Sequence, residues 1–530
     1  MMRIFPLIGS LLLVLGIFTG CGGGAVSSTA TQDSGADPIL PSVPVKSSFE
    51  MIDDESFNAL SEEDRIYVAK KLYSTLFKGR SLDFFKSQID DEKFVSDFTS
   101  RLSMQTSQPE IDKILVDNSG DLDDERRRGD EIPSKKGKIV REILSRLYFT
   151  RLSSDYFSDY IAYVLNQTIM FSPAWEVESV YRFPELIMSN FNRLRDRIEA
   201  GVPIRHIVKE HMMSVENWAR FRSPEDNGRE MLEIWLYNFN DSDVPLAAKV
   251  LKNWRFLNHD GFSHSYSFIN GIGDEENNET VALLGKELRT GEDFYDAVVN
   301  HEDFMYTVVN RVVEYFFPTF GDTEKKEITR QILKNEPTTF KELFFNIILS
   351  KKYLYESDRV KSLEETAFSL MHTIEFNAKV KSFIPIDGAL TKTNQRTMTY
   401  KLGRENSIPV DTLSSSEYHR FIREYILINR DESDVYPDDD GIDFKSLSER
   451  YDVSTLDKFV NDIFLDILGR KATENELERL ISYFNKTERN SGRLLGDLSQ
   501  PYSRYEIVMV LLDYFSRLTE LYQYRKIEGE

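Results

Sequence analysis

Cysteine is nearly absent from this chain: Cys21 is the only one in 530 residues. That count excludes intrachain disulfides, thiolate metal clusters and c-type haem, each of which needs a second cysteine. Positive charge is also in deficit, with 66 Lys and Arg against 88 Asp and Glu and a formal net charge of −22. Such a polyanion repels nucleic acid unless a basic patch is concentrated somewhere. The short basic runs Arg126-Arg127-Arg128 and Lys135-Lys136 sit among acidic neighbours, so no nucleic-acid partner is expected. Tryptophan is scarce, at four residues, but 36 Phe and 25 Tyr supply ample core material. The sequence has no His-Glu-x-x-His, Gly-x-Ser-x-Gly, P-loop or dinucleotide fingerprint.

Long apolar runs are likewise missing, except at the start. Arg3 precedes an apolar stretch from Ile4 to Phe18, broken by Pro6, Gly9, Ser10 and Gly16. A basic start, a short apolar middle and a small-residue end have the form of a signal peptide over residues 1–20. The stretch is short for a spanning helix, which needs roughly 17–25 apolar residues. Its end, Ile17-Phe18-Thr19-Gly20-Cys21, resembles the lipobox of bacterial lipoproteins. The resemblance implies acylation of Cys21, cleavage before it, and attachment to a membrane through the N-terminal lipid. Lipidation also accounts for a lone cysteine in an oxidising compartment. The family's inner-membrane retention signal is an acidic residue after the cysteine; Gly22 stands there instead, so an outer-membrane location in the cell envelope is expected. Residues 21–48 are rich in Gly, Ser, Thr, Ala and Pro and read as a flexible tether.

Beyond the tether the apolar spacing is helical. Ala69, Leu72, Tyr73, Leu76 and Phe77 form one stripe, entered through Ser61 and Asp64. Ile139, Val140, Ile143, Leu144, Leu147 and Tyr148 form a second, Val308 to Phe317 a third, and Phe340 to Ile348 a fourth. A fifth, Phe459 to Leu468, is followed by Thr473 with Glu476 at capping-box spacing. The expected fold is all-α, with two or three packed helical domains. The divisions fall at an N-terminal helical segment 49–105, a charged linker 106–137, a main helical domain 138–381, an irregular loop 382–416 and a C-terminal helical domain 417–530. A leucine-glycine-arginine corner recurs at 76–80, 402–404 and 468–470, where glycine is expected to end a helix in a left-handed cap. The acidic turn Asp438-Asp439-Asp440-Gly441 lacks the ligand spacing of a calcium loop.

The segment with most chemical character runs from His206 to His301. Asn227-Gly228-Arg229-Glu230-Met231-Leu232-Glu233, Asp243-Val244 through Trp254, and Leu283-Leu284-Gly285 resemble an uncharacterised bacterial family, domain of unknown function 1800. The resemblance covers about residues 190–365, carries over Asn227, Arg229, Glu230 and Glu233, and implies no assigned activity. Arg229 and Glu233 fall on one helix face, which reads either as an ion pair between helices or as a catalytic group. In the catalytic reading Glu230 or Glu233 is a general base beside Arg229, and His259, His264 and His301 are metal ligands. That reading is a metal-dependent hydrolase or a related enzyme. The leading expectation is instead a lipid-anchored scaffold or binding protein that engages another envelope protein or polymer.

Overall fold

Helix boundaries follow the capping residues. Ser61 accepts the Asp64 amide and starts Glu62–Thr75; Thr339 and Glu342 form a reciprocal capping box at Phe340–Ile348; Thr473 and Glu476 do the same at Glu474–Lys486. Gly469, in the left-handed region at φ 69°, stops Leu456–Leu468 as its spacing predicts. The structure, a computed structural model, describes residues 49–103, 157–170, 184–221, 223–256, 272–273, 276–376, 383–393, 395, 412–427, 441–488 and 492–527. It is mostly helical, an all-α multi-helix fold. The stripe at 139–148 lies outside the described residues.

Among the described residues, strands form two small antiparallel pairs. Val281–Leu283 and Lys286–Leu288 form a hairpin whose two-residue turn is Leu284-Gly285, both with positive φ of 52° and 72°. The Leu-Gly pair singled out in the sequence is thus a hairpin turn.

Residues Ser47–Glu530 form one compact unit. The Glu62–Thr75 helix packs on Leu363–Thr373 and on Leu456–Leu468, so the N-terminal and C-terminal helices share one core with the middle of the chain. Aromatic edges lock this core: Phe77 meets Tyr163 at 5.3 Å and 90°, and Phe316 meets Tyr353 at 5.5 Å and 88°. Among the described residues no helix is long and apolar enough to cross a membrane.

The stretch 382–416 departs from the expected irregular loop. Helices Phe383–Lys392 and Thr412–Phe421 occupy its two ends. Pro385 falls in the first turn of the former, where a missing amide is tolerated. All of 106–137 lies outside the described residues.

Candidate functional site

The helix Pro224–Trp235 carries the motif Asn227 to Glu233. Ser223 caps it, and its inward face buries Asn227, Gly228, Met231, Leu232, Ile234 and Trp235. Arg229 points outward, and its partner is Glu225 at 3.8 Å, one turn earlier, with both side chains more than half exposed. The pairing expected with Glu233 is therefore replaced by one in which the acid precedes the base, the better orientation on a helix. Glu233 is exposed and Glu230 half-buried.

Asn227 belongs to a packed cluster. The Tyr295 hydroxyl donates to its Oδ1 at 2.8 Å, and Trp218 Nε1 donates to that hydroxyl at 2.9 Å. Trp254 stacks on Trp218 at 6.0 Å. A Cβ at Gly228 would sit 2.8 Å from that of Ala247, and one at Gly291 would sit 2.2 Å from the Trp254 ring. Gly228 and Gly291 are thus close-approach positions, and the buried residues of the motif hold helices together.

His259, His264 and Cys21 lie outside the described residues. His301 precedes the helix Asp303–Phe316, and its Nδ1 accepts the Asp303 amide at 3.2 Å. Among the described residues no three His, Cys, Asp or Glu side chains come together as a metal set.

Among the described residues, a dense concentration of buried charge lies elsewhere, where the Glu62–Thr75 helix meets residues 353–365 and 521–525. Lys71, 1% exposed, donates to the carbonyls of Tyr353, Leu354 and Ser357 at 2.7, 3.1 and 2.6 Å. Two of these carbonyls belong to the π-helical turn Lys352–Glu356 and the third to the residue that ends it, where backbone acceptors lack helical partners and favour a cation. Burial pushes the Lys71 ammonium well below its ordinary pKa.

Beside it Arg359 and Glu365 form a buried two-bond pair at 2.8 and 2.7 Å. The Tyr524 hydroxyl and the Ser362 amide also donate to Glu365, at 2.6 and 3.1 Å. Arg359 further donates to the Tyr353 hydroxyl at 2.9 Å. Burial pulls the guanidinium pKa down, but Glu365 outweighs it and holds Arg359 well above the usual value.

Next to this network opens a small, solvent-connected cleft of about 50 Å³. Lys70, Lys71, Lys78, Arg80 and Lys361 line it, with Glu520 as the one acidic residue among the lining side chains. Lys70 Nζ donates to the Asp466 carbonyl. Lys361 Nζ donates to the Leu521 carbonyl at 3.1 Å and lies over the Tyr524 ring. Burial pushes the ammonium groups of Lys70 and Lys361 each down to about 8. Groups titrating there donate hydrogen bonds to an anion at neutral pH and release a proton in mild base.

Two of the three leucine-glycine-arginine corners meet at this cleft. Lys78, Gly79 and Arg80 line it from one corner, and Ile467 and Leu468 from the other. Their glycines do different work. Gly469 is the left-handed cap, whereas at the first corner Phe77 takes the left-handed conformation at φ 60°. Gly79 instead admits the backbone of the facing helix: a Cβ there would lie 1.9 Å from the Ser369 carbonyl. The third corner, 402–404, lies outside the described residues. This recurrence was the sequence signal for the cleft; Lys70-Lys71 alone look like any solvated pair. Compared with protein-family models, with curated proteins and with solved structures, the chain matches none, so its resemblance to the domain of unknown function 1800 rests on the motif residues alone.

Proposed function

We propose that this chain is an exported envelope lipoprotein, anchored through acyl groups on Cys21, whose helical body binds another envelope protein or polymer. The observation that carries the anchoring is Cys21 itself. It is the sole cysteine, it ends the apolar stretch, and it directly precedes Gly22-Gly23-Gly24. One acyl chain holds a protein only marginally, so the several chains implied by the lipobox suit stable attachment. Binding is favoured over a reaction at Arg229, Glu230 and Glu233 by their placement. Arg229 and Glu233 are exposed on a helix whose inward face is packed, and Arg229 is paired with Glu225.

Mass spectrometry of the mature N-terminus tests the anchor. The expected terminal peptide begins at Cys21 and carries acyl mass. A free Cys21 thiol, or cleavage at another site, would overturn the anchoring. Crosslinking in the intact envelope at native abundance tests the second half of the reading. A specific, saturable partner is expected, and its absence would remove the binding role.

A further inference from the structure

We propose that the cleft between the Glu62–Thr75 helix and the Lys361–Tyr524 region is a binding site for a small phosphoryl-bearing anion, held by Lys70 and Lys361. The inference stands apart from the anchoring and does not depend on what the envelope partner is.

The chain carries a formal net charge of −22, and many of its described basic side chains pair with carboxylates, as Arg359 does with Glu365, Arg423 with Asp513 and Arg470 with Glu476. Lys70, Lys71 and Lys361 depart from that pattern: among the described residues none has a carboxylate within ion-pair distance, and their hydrogen bonds go to backbone carbonyls. Lys71 spends its three protons on three carbonyls and is a structural cation. Lys70 and Lys361 each donate to one carbonyl, which leaves donors over from the three that an ammonium carries.

The acidic groups nearby do not supply the missing partners. Glu365 is occupied by Arg359, Tyr524 and the Ser362 amide. Asp466 directs its carboxylate to the Leu82 amide and the Tyr451 hydroxyl, at 2.7 Å each. Glu520 is paired with Arg470 at 3.1 Å. Burial disfavours the charge on both Lys70 and Lys361, and Lys70 adds to this at Lys361; Asp466 and Glu365 favour the charges through space, without bonding to either ammonium. Holding two partly buried ammonium groups at one cleft costs stability unless something anionic joins them. A cleft lined by five basic side chains and one acidic one also focuses its field on an incoming anion. A phosphoryl group offers several acceptors and more than one negative charge, matching two lysines at one cleft better than a single carboxylate does.

Calorimetry with inorganic phosphate and pyrophosphate, on the chain from Ser47 onward and again on the full-length protein, tests the proposal. Sodium chloride at matched ionic strength and citrate serve as the other arms. Saturable one-to-one binding of phosphate or pyrophosphate is expected, weakened at least tenfold in Lys70→Met and in Lys361→Met. The melting temperature of each variant is expected to hold or rise, because a buried charge is removed. No saturable binding, or an effect equalled by chloride, would overturn the site. Citrate binding without phosphate binding would overturn the phosphoryl assignment. Unaltered affinity in both variants would place any bound anion elsewhere, and so would overturn the proposal as well. A fall in melting temperature with affinity intact would return the two lysines to a purely structural role.

Discussion

At Lys71 three carbonyls converge on one ammonium, and the cost of losing it is set by what they are left without. In Lys71→Met three buried acceptors lose their donor, for an expected destabilisation of about 2–4 kcal/mol by urea denaturation. Arg359→Met strands the Glu365 carboxylate and is expected to cost about 3–5 kcal/mol, whereas the double variant with Glu365→Met recovers much of it. If the double variant is no better than the single, the pair is not the unit described. Arg229→Ala makes the contrasting case: exposed and paired at 3.8 Å, it should shift stability by less than about 0.5 kcal/mol. None of the Lys71 environment was legible in the sequence, because its partners lie 282 to 286 positions away. The motif at Asn227 to Glu233 was legible as a helix with Met231, Leu232, Ile234 and Trp235 inward. The partner of Arg229 was not, since Glu225, Asp226 and Glu233 all stood within one turn of it.

Helices declared themselves wherever a cap and an apolar stripe agreed. Ser61, Thr339 and Thr473 each start a helix. The region 382–416 hid its two helices because its prolines and glycines mask a short apolar pattern, and Pro385 sits where a helix accepts it. Glu476 shows how a cap becomes a pH dependence. Burial pulls its carboxyl up, but Arg470, the Thr473 amide and hydroxyl, and Tyr514 together hold it down at about 2. A depressed carboxyl contributes stability that is complete above its ordinary pKa of 4.5 and lost as the pH falls through about 2. The stability gap between the wild type and Glu476→Gln should therefore close between those two values. A gap that stays constant down to pH 2 would show that the contacts act without the charge.

Over the whole molecule, residues 522–527 close on the segment 355–361 and on the Glu62–Thr75 helix. Backbone amides of Lys361, Tyr524 and Ile527 bond to Tyr522, Arg359 and Tyr355 at 2.8, 3.1 and 2.8 Å, laying the C-terminal segment along residues 355–361. Its Arg525 amide meets the Tyr67 hydroxyl at 2.6 Å. A chain ending at Leu518 loses these bonds together with the Tyr524 contact to Glu365. It is expected to forfeit most of the roughly 5–15 kcal/mol that holds a domain folded and to be cut rapidly by protease. A truncated chain melting within a few degrees of the full one would show the segment to be an ornament. The sequence announced an all-α body but not this closure, because Tyr522 to Ile527 carry no periodicity that names a partner.

The bond from Arg525 back to Tyr67 spans 458 positions, and that separation has a consequence for how the protein is made. Contacts between distant positions form late and slowly. Synthesis proceeds from the N-terminus, so the core around Lys71 and Tyr67 gains its contacts with Tyr524 and Arg525 only after all the intervening helices have been made.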